Sequence, residues 1–465
     1  MPTTQPPNVI VFFTDQQRWD TMGLHGNPLD LTPNLDRYAR ANTFVKHSYT
    51  CQPVCGPARS CLQTGLYATA NGSWRNGIPL NPKLKTLAHH FKGAGYTTGY
   101  IGKWHLAEQD PVPADQRGGY DSWLAANVLE FTSNAYDMVL YDNDNRGVKL
   151  PGYRVDAQTD AMIRYIDAHK NRPFFLFSSF IEPHHQNHLD DYPPPDGYRE
   201  RYQTNTWIPP DLLALGGSTH QHLAGYYGMV KRLDEAFGRL LDALKSLNLL
   251  DNTVILFTAD HGSHFKTRNS EYKRSCHEAS IHVPTVIGGP GFRAGGELPE
   301  LVSLIDLPPT LLDAAGIAVP PVMQGRSIKP LAAARVADWP QEVFVQISEA
   351  QCGRAIRTAR WKYCVNAPEI DGRGDGGSDT YTEQYLYDLS NDPYELCNLI
   401  GLDSHRQIAD ELQARLIARM VAAGEQTPEI KPAEPRRSGQ RRVMENDRGT
   451  VEERPHPYHA RPRKK

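Results

Sequence analysis

Asn8–Gln16 reads NVIVFFTDQ. From Val9 to Phe13 the run is apolar without alternation, which predicts a strand buried on both faces, as in the interior of a parallel or mixed sheet. Asp15 and Gln16 follow at its carboxyl end, the edge at which open α/β sheets take ligands. Two adjacent oxygen-bearing side chains there make either half of a hard-cation site or a solvated turn.

The pattern recurs outward along the chain. Phe44–Tyr49, Thr97–Ile101, Phe174–Ile181, Thr253–Thr258 and Val283–Gly288 read as further strands. Asn34–Ala41, Leu84–Ala94, Arg154–Lys170, Gln221–Leu247 and Leu301–Ala315 read as helices by their apolar spacing. Strands alternating with helices predict an α/β fold with a large mixed, mostly parallel sheet flanked by helices. Polar clusters stand where strands end: GKWHL at Gly102–Leu106, EPHHQNH at Glu182–His188, and Asp260 with His261. Lys103 and His105, two positions apart, point the same way if that segment stays extended. Residues 107–150, rich in Gly, Asp, Asn and Tyr, read as a long excursion over this edge.

After Gln324–Ser327 the character changes. Val343–Ser348, Ala355–Thr358, Trp361–Val365 and Tyr385–Leu389 are short strand candidates, followed by a helix over His405–Ala422. This predicts a small C-terminal antiparallel sheet packed by a helix. The expected organisation is an α/β domain over 1–335, an α+β subdomain over 336–424, and a tail rich in Pro, Arg and Glu over 425–465 that is extended or disordered.

Fifty basic against 53 acidic residues in 465, a net charge of -3, give no global attraction to nucleic acid or to a membrane. The N-terminus lacks a basic n-region, and its apolar run is too short for a signal peptide or a membrane span. Seven scattered cysteines, an odd number, argue for reduced thiols and a cytoplasmic protein.

Cys51–Gly65 reads CQPVCGPARSCLQTG. Pro57 opens a predicted helix through Leu66, which places Cys55 at the positive end of the helix dipole, where an anion is favoured. Arg59, one turn on, projects to the same side and supplies a permanent cation. Cys51, Cys55 and Cys61 could instead be buried hydrophobes or ligands of a cluster, but their spacing fits neither paired zinc ligands nor an iron–sulfur motif.

Cys55, Pro57 and Arg59, trailed by Ser60, Thr64 and Gly65, resemble the signature of the type I sulfatases, in the alkaline phosphatase-like superfamily. GKWHL resembles the segment of that family letter for letter, and LYDLSNDPYELCNL resembles its C-terminal hairpin. The resemblance implies that a formylglycine-generating enzyme oxidises Cys55 to Cα-formylglycine, whose hydrate has one hydroxyl to attack sulfur and another to expel sulfate. It assigns Asp15, Gln16, Cys55, Asp260 and His261 to one divalent cation. Calcium is the first choice; Gln16 stands where many members carry a second Asp, which leaves magnesium or manganese open.

The same resemblance implies a catalytic set of Cys55, Arg59, Lys103, His105, His184, Asp260 and Lys273. Aligning on Val283 and Pro284 selects Lys273 rather than Lys266. Asp260 is the expected base, Lys103 and Lys273 contact the equatorial oxygens, His184 with Lys273 protonates the leaving alcohol, and His105 takes the proton of the second hydroxyl. Trp74, Arg75, His185 and His188 are expected to line an outer pocket suited to a sulfated sugar, in a possible homo-oligomer. The competing readings are a phosphonate monoester or phosphodiester hydrolase with the same nucleophile, and a silent binding protein with Cys55 unmodified.

Overall fold

The structure, a computed structural model, describes residues 5–204, 207–293, 296–334 and 336–436. Its large sheet has ten strands: β1 (Asn8–Thr14), β2 (Thr43–Tyr49), β3 (Thr97–Lys103), β4 (Ser122–Ala126), β5 (Met138–Tyr141), β6 (Gly147–Leu150), β7 (Phe174–Ser179), β8 (Thr253–Ala259), β9 (Val286–Gly288) and β10 (Gly296–Ser303). They lie in the order β10-β2-β9-β8-β1-β7-β3-β4-β5-β6. The centre, β8-β1-β7-β3-β4, is parallel throughout. Only β9 and β5 run against their neighbours there.

Every residue of β1 is buried, because alternate side chains enter different cores. Val9, Val11 and Phe13 pack with Ala58, Leu62, Leu87 and Leu311 from the helices Cys55–Thr64, Leu87–Gly93 and Leu307–Ala314. Ile10 and Phe12 pack on the other face with Leu35, Ile166 and Phe237 from the helices Pro33–Ala41, Arg154–His169 and Thr219–Ser246. The expected mostly parallel sheet between helices is the one found, and an unbroken apolar run marks its inner strands because both faces must be covered.

The departures have local causes. Residues 107–150 contribute β4, β5 and β6 to one edge of the sheet rather than only a loop; their runs of four or five residues are too brief for a period to show. Leu301–Ser303, expected at the start of a helix, closes β10, which pairs in parallel with β2, and the helix begins at Leu307. The Cys55 helix runs Cys55–Thr64 and stops at Gly65, which takes φ 72, the left-handed value that favours glycine. It therefore starts two residues before Pro57, whose missing N–H costs nothing within the first turn.

A second sheet follows: β11 (Glu342–Ile347), β12 (Gly353–Thr358), β13 (Trp361–Asn366) and β14 (Thr380–Asp388) are antiparallel, and β15 (Glu429–Lys431) adds in parallel to β14. The helix Arg406–Ala422 covers it through Ala409, Leu412, Leu416 and Met420. Within the tail expected to be extended or disordered from residue 425, β15 is extended and pairs with the sheet, and Ile430 is buried, a single apolar residue among polar ones that carries no period. Residues 437–465 of that tail lie outside the described residues. Among the described residues, no helix is long and apolar enough to cross a membrane.

The small sheet reaches back to the large one just after β11. The amide of Gln346 donates to the carbonyl of Cys51 at 2.8 Å, and Gln52 donates to Ser348 Oγ at 2.7 Å. Glu349, left-handed at φ 67, accepts from the amide of Asn76 at 2.7 Å and pairs with Arg274 at 2.7 Å. Arg274, itself at φ 69, also pairs with Glu271 at 2.6 Å. Non-glycine residues in that conformation cost on the order of 1–3 kcal/mol each and persist only where their surroundings hold them. Glu349→Ala leaves Arg274 with one partner and the Asn76 amide with none. We expect it to lower the unfolding free energy by about 2–4 kcal/mol, read from urea denaturation; an unchanged midpoint would remove the latch.

Candidate active site

Because β8, β1, β7 and β3 are parallel neighbours, their carboxyl ends open on one edge, and the residues that follow them meet there. Asp15 and Asp260 sit at the ends of adjacent strands, and the amide of Asp260 donates to Thr14 at 3.2 Å. Gln16 turns left-handed at φ 66 and donates its amide to Asp260 Oδ1 at 2.9 Å. Asp15, Gln16, Asp260 and His261 are all fully buried, which excludes the solvated turn.

One side of the site is a converging donor set. The ligand atoms of Asp15, Cys55, Asp260 and His261 all lie within 4.8 Å of one another. His261 Nδ1 donates to the carbonyl of Gly262 at 2.9 Å, which turns Nε2 toward the cluster. That atom stands 3.2 Å from Cys55 Sγ, 3.5 Å from Asp260 Oδ1 and 3.7 Å from Asp15 Oδ1. Arg59 takes the opposite oxygens, Asp15 Oδ2 at 2.8 Å and Asp260 Oδ2 at 3.2 Å, so both Oδ1 atoms face the cluster. Gln16 donates to Tyr192 at 2.8 Å through Nε2 and accepts from Lys273 at 3.3 Å through Oε1, which directs its oxygen to the same space.

The charges there are unequally balanced. Burial and the Cys55 thiolate push the Asp15 carboxyl up, but Lys103, His184 and Arg59 outweigh them and hold it well below the usual carboxylate range. For Asp260, burial and the nearby Asp15 prevail over His261 and Arg59, and it is pushed up to about 6. Two buried carboxylates, an imidazole nitrogen and an amide oxygen form a mainly oxygen donor set with unmet negative charge, which fits a divalent cation.

The other side is cationic. Lys273 Nζ lies 2.8 Å from Cys55 Sγ and 3.0 Å from His184 Nε2. Burial pushes the Cys55 thiol up, yet Lys273, Lys103 and His261, with a hydrogen bond from His105, hold it well below the ordinary thiol range. Burial and then Lys273 lower His184. Its Nδ1 donates to the carbonyl of His185 at 2.6 Å, so Nε2 accepts from the Lys273 ammonium. Lys103 donates to Asp15 Oδ2 at 2.8 Å.

His105 does not share an extended segment with Lys103: it lies beyond the end of β3 and turns left-handed at φ 59, and that turn brings its ring to Cys55. Cys55, Arg59, Lys103, His105, His184, Asp260 and Lys273 are thus gathered around one sulfur atom.

The expected outer pocket is met unevenly. The Arg75 guanidinium lies over the Trp74 ring at 5.5 Å, and both are half-buried beside Asn76, which accepts from the Gly56 amide at 2.9 Å. His185 stacks on His184 at 4.3 Å. His188 stays exposed, its ring 3.4 Å from Gln186 Nε2, and is not drawn into the cluster. Three site neighbours carried no recognisable signal. Glu130 reaches Lys103 from the aperiodic excursion, Ser179 accepts from Arg59 at 2.5 Å, and Arg274 donates its amide at 3.2 Å to the carbonyl of Pro53, two residues before Cys55.

Comparison with known proteins places the chain in a family and a fold. Residues 7–317 match the family model Sulfatase, and residues 270–422 match the model N-sulphoglucosamine sulphohydrolase, C-terminal. The ulvan-active sulfatase of Formosa agariphila is 29% identical over 439 residues, spanning 90% of this chain and 82% of that protein. Among solved structures, one in complex with its substrate D-glucosamine-2-N,6-O-disulfate superposes with a TM-score of 0.75 at 24% identity, covering 91% of this chain and 99% of the other. The phosphonate monoester hydrolase of Silicibacter pomeroyi shares the fold at a TM-score of 0.70 and 21% identity, covering 91% and 96%. With a family model spanning more than half its length, the chain belongs to the sulfatase family of sulfuric ester hydrolases, in the alkaline phosphatase-like superfamily.

Proposed function

We propose that a formylglycine-generating enzyme matures Cys55 to Cα-formylglycine and that the enzyme hydrolyses a sulfate monoester of a carbohydrate. The carrying observation is the place of Cys55 Sγ: His261 Nε2 lies 3.2 Å away on the donor side and Lys273 Nζ 2.8 Å away on the cationic side. Asp15, Gln16, Asp260, His261 and residue 55 would hold a divalent cation, calcium first and magnesium or manganese otherwise. Bound there, it supplies Lewis acidity and positive charge beside the nucleophile. The hydrated aldehyde supplies two hydroxyls, so that the covalently held sulfate can leave without water reaching sulfur.

The residues of the chain divide the remaining work by position. Arg59 turns both carboxylates so that their Oδ1 atoms face residue 55. Asp260, whose carboxylate lies within 4.8 Å of Cys55 Sγ, is placed to accept a proton from residue 55. Lys103 and Lys273 offer ammonium N–H donors to the ester oxygens, where charge grows during transfer. His184 accepts from Lys273 at 3.0 Å, so a proton can pass along that pair to the departing alcohol. His105, beside Cys55, is placed to take the proton of the second hydroxyl.

A sugar sulfate is favoured because the relatives so named act on ulvan and on a glucosamine disulfate, and because Trp74 and Arg75 give an aromatic and cationic rim. Seven free cysteines support a reducing, cytoplasmic setting. The phosphonate monoester hydrolase reading keeps some support from the shared fold and from the orientation of Gln16 Oε1.

Three measurements test this reading. Peptide mass spectrometry of the Cys51–Gly65 segment from the natively expressed protein should find an aldehyde at position 55. A thiol throughout would leave the silent binding protein. Rates on a sugar sulfate, an aryl sulfate and an aryl phosphonate should rank sulfate above phosphonate, and the reverse order would select the competing hydrolase. His184→Ala should lower kcat by about 10²–10⁴ on an alkyl sulfate, whose alcohol needs a proton, and far less on an aryl sulfate with a good leaving group. Equal losses on both would remove His184 as the acid.

Removal of divalent cations by a chelator should abolish turnover and lower the melting temperature, because the binding free energy of the cation for the folded state is then lost. Calcium should restore both. A melting temperature indifferent to chelator and calcium would count against the cation site.

A further inference from the structure

Glu130 comes from the part of the chain with the least pattern, the short helix Leu129–Thr132 just after β4. It is buried, and its Oε1 lies 3.0 Å from Lys103 Nζ, while Asp15 Oδ2 lies 2.8 Å from the same nitrogen. A buried scaffold fixes it: Gln186 donates to the Glu130 carbonyl at 2.5 Å and accepts from Arg154 at 2.7 Å, and Arg154 pairs with Glu182 at 2.8 Å. Burial pushes the Glu130 carboxyl up, but Lys103, His105 and His184 outweigh it, so the group stays ionised beside the residues assigned to proton transfer.

Two facts point to a purpose other than stability. Glu130 Oε2 is buried without a hydrogen-bond partner, whereas a carboxylate kept for structure would use both oxygens. Lysine has three N–H donors, and two carboxylates on one ammonium leave a single direction for the third. Asp15, which takes Lys103 on Oδ2 at 2.8 Å, meets Cys55 Sγ through Oδ1 at 3.5 Å, so the ammonium stands one carboxylate away from residue 55. Without Glu130 the ammonium would settle on Asp15 alone and cancel the charge of a cation ligand.

We propose that Glu130 is a positioning residue for sulfate transfer: it draws Lys103 partly off Asp15 and aims its third N–H at the ester beside residue 55. The proposal rests on the reading in which Lys103 meets ester oxygens.

The test uses the matured, cation-loaded enzyme and an aryl sulfate, with Glu130→Ala, Glu130→Gln and Lys103→Ala, singly and combined. Glu130→Ala should lower kcat by about 10²-fold with KM changed only a few-fold, as a misplaced contact does. Glu130→Gln, which keeps the shape and an acceptor but not the charge, should lose about tenfold by the same argument. Neither change should lower activity further once Lys103 is alanine, because both act through that ammonium.

Wild-type kcat in both Glu130 variants, or a loss that multiplies in the Lys103→Ala background, would overturn the proposal. Should Glu130→Ala fail to melt cooperatively, Glu130→Gln decides. If Lys103→Ala keeps full turnover, the underlying reading of Lys103 fails and Glu130 with it. If Lys103→Ala loses activity while Glu130→Ala and Glu130→Gln keep wild-type kcat, Glu130 alone falls.

Discussion

The structure turns on one guanidinium. Arg59 holds Asp15 at 2.8 Å, Asp260 at 3.2 Å, Ser179 at 2.5 Å and the Lys103 carbonyl at 3.0 Å, so one side chain gathers the ends of β1, β8, β7 and β3. Its planar fork of donors suits that task, and it lies over the Phe13 ring at 5.2 Å, which covers the face left without hydrogen bonds. Burying such a charge is unfavourable unless its partners are complete, and removing one partner of a buried pair typically costs about 3–5 kcal/mol. The helix Cys55–Thr64 is thereby pinned to the carboxyl edge of the sheet, with Cys55 at its first turn facing the same carboxylates.

That constraint explains why the site is preorganised. A parallel sheet brings the ends of adjacent strands to one edge in register, Thr14 beside Ala259 and Phe13 beside Ser179. Left-handed turns at Gln16 and His105, with φ values of 66 and 59, then bend the chain at once so that side chains a residue or two past the strands fold back over the edge. The cost of those conformations is offset by the hydrogen bonds they allow, such as the Gln16 amide on Asp260. The small sheet adds its own restraint through Glu349 and Gln346, which fix the loops on either side of Cys55.

How much of this could be read in the sequence depended on whether a residue belonged to a repeating local pattern. Val9–Phe13 announced a buried strand because five apolar residues in a row cannot face water on either side, and Asp15 followed from it. Cys55 and Arg59 were legible because Pro57 and the helical spacing tie them together. Glu130 was not, since it sits in a single helical turn whose position is set by β4, β5 and β6 pairing at the sheet edge. Arg274 and Glu349 were hidden for a related reason: they meet across 75 residues of sequence, and nothing local to either encodes the other. The turn at His105 was missed because extended alternation was carried past the end of β3. The pairing of β15 with β14 had no signal in the sequence, because one buried Ile430 has no period.

The ionic contacts at the sheet edge form a single chain, Glu130, Lys103, Asp15, Arg59, Asp260, with links of 3.0, 2.8, 2.8 and 3.2 Å and signs that alternate throughout. An alternating chain is stable as a unit, since each interior charge has an opposite on both sides, but it begins and ends in a carboxylate. The surplus negative charge therefore lies at its termini, and the two termini stand on different sides of residue 55. At the Asp260 end it meets His261 and the other donor atoms, where burial and the nearby Asp15 push Asp260 up to about 6. At the Glu130 end it is met first by Lys103 and then by His105 and His184, which together outweigh burial and hold that carboxyl below its ordinary range. One buried relay thus ends in a carboxylate beside the donor atoms of Cys55 and His261 and, at its other end, in a carboxylate that reaches Lys103 from the excursion over the sheet edge.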